Sequence, residues 1–179
     1  MRRKALAISL LLAAAVPPLP AEPTEAGIQG SLVFPQQDLR SAVGGRTGFQ
    51  VGVHGAIDLQ GGSEARPRID YTRIDGGSWS LASLSGSTTI QAVSVGADYL
   101  RYLEGIRRGL YGVAGVGLFW WNSDERGGGH TRETSPSLMV GAGHRFNSSV
   151  SMEFSVDFGQ FRSSVGSASS IKGGVFYRF

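Results

Sequence analysis

Period-two alternation of apolar and polar side chains runs through most of this chain and predicts strands with two unlike faces. Phe49, Val51, Val53, Ile57 and Leu59 alternate with Gln50, Gly52, His54, Ala56 and Asp58. Val150, Met152, Phe154, Val156 and Phe158 alternate with Ser151, Glu153, Ser155 and Asp157. Ile171, Val175, Tyr177 and Phe179 alternate with Lys172, Gly174, Phe176 and Arg178. Helical periodicity is scarce. Glycines recur every few residues, and each would weaken a helix by about 1 kcal/mol relative to alanine. Eight strands are predicted, over about 26–34, 47–59, 65–74, 88–102, 109–121, 136–146, 150–161 and 170–179. Arg66, Pro67 and Arg68 crowd the start of the third.

The connections carry a second pattern. Segments 35–46, 75–87, 122–135 and 162–169 are long or polar, while 60–64, 103–108 and 147–149 are short. Long and short alternate throughout. A soluble sandwich has no reason to sort its loops by parity, but a barrel crossing an outer membrane does, with short turns at one end and long loops at the other. The prediction is an all-β fold, an eight-stranded antiparallel up-and-down transmembrane β-barrel. The aromatics agree. Phe34, Phe49, Phe119, Trp120, Trp121, Phe158 and Phe161 fall at one end of the strands, and Tyr99, Tyr102, Tyr111, Phe146, Tyr177 and Phe179 at the other. Two such bands suit the two membrane–water interfaces, where a ring keeps one edge apolar and one wet.

Composition narrows the classes further. The 179 residues include 27 glycines and no cysteine, which excludes disulfides, zinc–thiolate sites, a thiol nucleophile and a bacterial lipoprotein anchor. Residues 1–21 have the layout of a secretory signal: Arg2-Arg3-Lys4, the apolar stretch Ala5–Val16, then Pro17 to Ala21. A second cleavage point lies at Ala26. Beyond this leader no apolar run approaches the roughly 20 residues of a membrane helix. The formal charge of +3 belongs to the leader; without it 14 basic residues face 14 acidic ones. The basic surplus of a nucleic-acid-binding surface is absent. Residues 22–179 read as one barrel domain. The run Gly112-Val113-Ala114-Gly115-Val116-Gly117 echoes a nucleotide-binding turn, but Leu118 to Trp121 continue a strand where that motif needs a helix. No cofactor and no metal are predicted.

The last segment, Lys172-Gly173-Gly174-Val175-Phe176-Tyr177-Arg178-Phe179, has a polar residue, a glycine two later, then an aromatic and a final aromatic. With the hairpin Gly141–Asn147 and Val150–Phe154, it resembles the small outer-membrane β-barrel family of OmpA/OmpX type. The resemblance implies localisation in the cell outer membrane, and contact with outer-membrane lipids and lipopolysaccharide. It also implies recognition of the last strand, at Lys172, Gly174, Tyr177 and Phe179, by the barrel assembly machinery. A peptidoglycan-binding domain after the barrel is not expected.

In this register the inner face collects His54, Asp58, Arg68, Asp70, Asp98, Arg145, Glu153, Asp157, Lys172 and Arg178. An eight-stranded barrel is only wide enough for side chains to fill it, and buried charges must pair or stay hydrated. The expectation is a plugged polar lumen in which Asp58, Asp98, Glu153 and Asp157 pair with Arg145, Lys172 and Arg178. The protein is then expected to be non-enzymatic and to act in envelope structure or surface interaction through its outer loops, with an unspecified ligand. Two alternatives are a conduit for small apolar molecules of OmpW type and a lipid A-modifying enzyme. For the latter, the deacylase type has a histidine directly before its serine, and none of His54, His130 or His144 precedes one.

Overall fold

Each alternating segment becomes a strand of one closed sheet. The computed structural model describes residues 25–81, 84–125, 129–160 and 167–179. The strands are β1 (Glu25–Pro35), β2 (Gly48–Asp58), β3 (Ser63–Leu81), β4 (Leu84–Tyr102), β5 (Gly109–Glu125), β6 (Gly129–Arg145), β7 (Val150–Gln160) and β8 (Ser167–Arg178). Every strand pairs antiparallel with the next, and β8 closes on β1 with Ser31 opposite Gly174. A closed ring leaves no open edge along the paired wall, which is how a sheet can satisfy its backbone without water. The expected leader, residues 1–21, lies outside the described residues, as does Phe161.

Period two sets the faces, and they are the reverse of a soluble protein's. Leu32, Val140 and Phe154 point outward and are 56, 50 and 64% exposed, whereas Glu64, Arg66 and Asp70 point inward at 0–1%. Two glycines make the inside fit. A Cβ at Gly115 would strike the Asp98 carboxylate, and one at Gly143 would strike the Tyr111 ring. The turns at the end where β1 begins and β8 finishes, the lower end, are short. In one of them Asn147 Oδ1 accepts the N–H groups of Ser149 and Val150 at 2.9 and 2.7 Å, the local turn that asparagine favours.

Three differences from the expected pattern have physical causes. First, the segments expected as loops at 75–87 and 122–135 are mostly strand. β3 and β4 have 19 residues each and β5 and β6 have 17, against 11 or 12 in the others. Ladder hydrogen bonds need only the backbone, so the hairpins continue upward after apolar alternation stops. A register shift between Asp75 and Ser78 marks the change.

Second, the connection 36–47 contains a helix, α1 (Gln37–Ala42). Six residues are too few for a periodic signal or for a stable isolated helix. Tertiary packing holds it. Leu39, with Val43 just beyond, packs on Val33, Ile74, Ile90, Phe119 and Ala168 inside the upper mouth. Asp38 Oδ2 accepts the Ser167 N–H at 2.9 Å.

Third, the aromatic bands are thinner than the strand ends suggested. Trp120, Phe158, Phe34 and Phe49 face outward above, and Tyr99, Phe146, Tyr177 and Phe179 below. Phe119, Trp121, Tyr102 and Tyr111 point inward and are buried, because alternation sends neighbours on one strand to opposite faces.

Candidate functional site: the charged lumen

β3 supplies the centre of the lumen. Glu64, Arg66, Arg68 and Asp70 stand at alternate positions, so all four enter the same confined space. Pro67, between the arginines, faces outward and is exposed. The pairing of β2 with β3 skips from His54 opposite Arg68 to Ile57 opposite Ala65, so the missing proline N–H falls where the ladder is already interrupted.

The charges form three tiers. In the lowest, Glu64 accepts from Arg178 Nη1 and Nη2 at 2.7 and 2.5 Å, and Arg145 Nη2 lies 3.5 Å from the same carboxylate. Arg178 also reaches Glu25 at 3.4 Å. In the middle tier, Arg66 donates through Nε and Nη2 to Asp98 Oδ2 at 3.0 and 2.9 Å, and its Nη1 lies 2.9 Å from Glu153 Oε2. Arg68 Nε shares Asp98 at 3.0 Å, and the same guanidinium pairs with Asp70, which also accepts from Gln29. Tyr111 donates to Glu153 at 3.3 Å. In the upper tier Lys172 pairs with Asp157. Aromatic faces back the cations: Arg66 lies 4.3 Å from the centre of Phe176, Arg145 5.4 Å from Tyr102 and Lys172 5.6 Å from Phe119.

These partners differ from the expected ones. Arg145 and Arg178 take Glu64, and Asp98 and Glu153 take Arg66. Asp58 does not join the lumen pairs. β2 ends at that residue, so its carboxylate stays at the lower rim, half-buried, 3.4 Å from Arg107, and accepts the Gln60 N–H at 2.8 Å. Of the expected pairings among these residues, the structure contains Lys172 with Asp157. Glu64 and Arg66 were not among the expected lumen residues, because the Arg-Pro-Arg run obscured the start of β3. The signal existed: counting back by two from the inward Asp70 and Arg68 reaches both.

The last strand places Lys172 in the lumen, Gly174 beside Ser31 of β1 and Tyr177 on the outer wall. Phe179 stacks edge-on with Tyr177 at 5.5 Å, and its N–H donates to Ala26 O at 3.0 Å. Of the histidines, His54 is buried in the lumen, edge-on to Phe176 at 5.6 Å, with neither ring nitrogen hydrogen-bonded. His144 sits on the outer wall, tilted against Phe146 at 4.7 Å. Among the described residues no group of three or more His, Asp or Glu side chains is placed to hold a metal ion.

Little space remains inside. The cavity around Arg66, Arg68, Asp98 and Glu153 measures about 20 Å³, and the one under α1, beside Leu39, Trp121 and Lys172, about 10 Å³. About 10–15 Å³ is what a single water needs.

No protein-family model matches the chain, and no curated protein matches it. Solved structures do. The N-terminal β-barrel domain of Pseudomonas aeruginosa OprF superposes with a TM-score of 0.58 at 15% identity, covering 87% of this chain and 97% of that one. Neisserial surface protein A gives 0.56, also at 15% identity, with the same coverage. A major outer membrane protein from Thermus thermophilus gives 0.51 at 14% identity over 88% of this chain and all of that one. At such identities the likeness is one of fold, and the chain has the fold of the small eight-stranded outer-membrane β-barrels.

Proposed function

We propose that this chain is a non-enzymatic integral outer-membrane barrel of OmpA/OmpX type, with a plugged lumen, acting at the cell surface. The observation that carries the reading is the filled interior. Three tiers of paired charges leave cavities of about 20 and 10 Å³, and α1 sets Leu39 and Val43 across the upper mouth. A solute-sized path would have to break buried ion pairs. The same charged lining disfavours an apolar conduit. Surface interaction falls to the two tall hairpins, β3–β4 and β5–β6, which rise above the shorter strands. The outward apolar belt, flanked by aromatics, is the lipid contact.

The decisive measurement is conductance in planar bilayers. The protein should insert without stepwise ohmic current, and reproducible single-channel steps from the wild type would overturn the plug.

Assembly gives a second expected result. If Lys172, Gly174, Tyr177 and Phe179 are read by the assembly machinery, Phe179→Ser lowers the amount inserted in cells while refolding into detergent still succeeds. Phe179 is 75% exposed, so its loss removes little packing. Outer-membrane fractionation with heat-modifiable gel mobility checks both halves. Equal insertion of mutant and wild type would count against this role for the last strand.

A further inference from the structure

A large open volume lies on the outside. A groove of about 550 Å³ runs along the wall beside the upper parts of β5 to β8, within the roughly 300–1,000 Å³ typical of small-molecule sites. Its floor is one row across four strands. Val116 on β5 lies opposite Leu138 on β6, Leu138 opposite Phe158 on β7, and Phe158 opposite Ser169 on β8. With strands about 4.8 Å apart, the row is about 14 Å long.

The two ends differ chemically. Val116, Leu138 and Phe158 are all more than half exposed. At the other end stand Ser167, Ser169 and Gln37. Gln37 is a non-glycine residue held at φ 48°, a left-handed conformation that persists only where its surroundings enforce it. Its Oε1 accepts from Ser167 Oγ at 2.5 Å and Ser169 Oγ at 3.2 Å. That arrangement leaves the Nε2 amide as a donor without a partner among the described residues. No charged side chain lines the groove among the described residues.

We propose that this groove binds one acyl chain of lipid A in the outer leaflet. The inference rests on the membrane reading above and deepens it by naming a site. The row is continuous with the lipid-facing belt, so its natural occupant is a chain already in the membrane. It lies at the end bearing the long hairpins, which that reading places in the outer leaflet. Its polar end offers an amide donor and hydroxyls but no cation. Those groups suit the carbonyl and hydroxyl at the head of a lipid A chain rather than a phosphate. The methylenes lie over Val116, Leu138 and Phe158, and the chain's carbonyl accepts from Gln37 Nε2.

The test is native mass spectrometry of the full chain, refolded in detergent and titrated with lipid A or with phosphatidylethanolamine. The wild type should retain one lipid A saturably and phosphatidylethanolamine only weakly. Leu138→Trp fills the floor and should reduce retention by about tenfold, a difference of one decade in affinity. Gln37→Gly keeps the left-handed backbone, removes the donor and should weaken retention in the same direction. Ile69→Trp, outward on β3, should leave it unchanged. Absence of saturable retention, equal retention by Leu138→Trp, or equal retention of phosphatidylethanolamine would each overturn the site. Heat-modifiable mobility, followed in every variant, reports the folded barrel separately. Lost lipid with intact mobility in the wild type refutes the groove and leaves the barrel standing.

Discussion

Replacing Arg66 with methionine should lower unfolding stability by about 3–5 kcal/mol, the cost of breaking a buried ion pair by removing one partner. Arg66 is 1% exposed and is the shared cation of Asp98 and Glu153. The two acids are not equally affected. Asp98 keeps Arg68 at 3.0 Å, while among the described residues Glu153 keeps the Tyr111 hydroxyl alone, at 3.3 Å. Most of the loss therefore comes from Glu153. Adding Glu153→Gln to Arg66→Met should recover part of it, since a neutral amide no longer carries an unpaired charge. Denaturant titrations of the two variants in lipid vesicles read this directly. If Arg66→Met changes stability by less than about 1 kcal/mol, the value typical of exposed pairs, the middle tier is hydrated rather than buried.

The second large effect belongs to the outer wall. Val140 on β6 faces outward, 50% exposed, opposite Val156 of β7. It lies between the upper aromatics, where Phe158 pairs with Leu138, and the lower ones near Phe146. Val140→Arg should cost about 2–4 kcal/mol if this is the bilayer midplane. Thr134 is on the same face of the same strand, higher up and opposite Trp120. Thr134→Arg should cost only about 0–1 kcal/mol, as at an interface. Equal costs at the two positions would mean that the belt does not lie across a bilayer at this height. The pair is informative because strand, face and introduced side chain are held constant, leaving depth as the variable.

Both predictions rest on faces that are legible in the chain alone. In β7 the chain alternates Met152, Glu153, Phe154, Ser155, and the structure sends Glu153 and Ser155 in and Met152 and Phe154 out. A period of two has no other reading once one face is apolar. Strand number and antiparallel order follow from such segments, although two of the connections expected to be long, 75–87 and 122–135, are mostly strand.

The alternation by itself determined that this chain forms strands with an apolar and a polar face, and on β7 and β8 which side chains turn inward; at the crowded start of β3 it left out Glu64 and Arg66. The third dimension decided who meets whom. Residues 87 positions apart, Arg66 and Glu153, touch because barrel closure and strand stagger bring β3 across from β7. No local pattern encodes that distance, and none shows that Arg145 and Arg178 meet at Glu64. Tertiary packing also decided α1, six residues whose helix exists because Leu39 has a mouth to fill. It decided the height of the hairpins too, where backbone ladders outlast the apolar code that revealed them. The groove on the outer wall is of the same kind. Its row takes one residue from each of four strands, and only the register of a closed sheet puts Val116, Leu138, Phe158 and Ser169 side by side. Face is a property of neighbours along the chain and can be read there. Contact across a barrel is set by closure and stagger, which belong to the whole sheet at once.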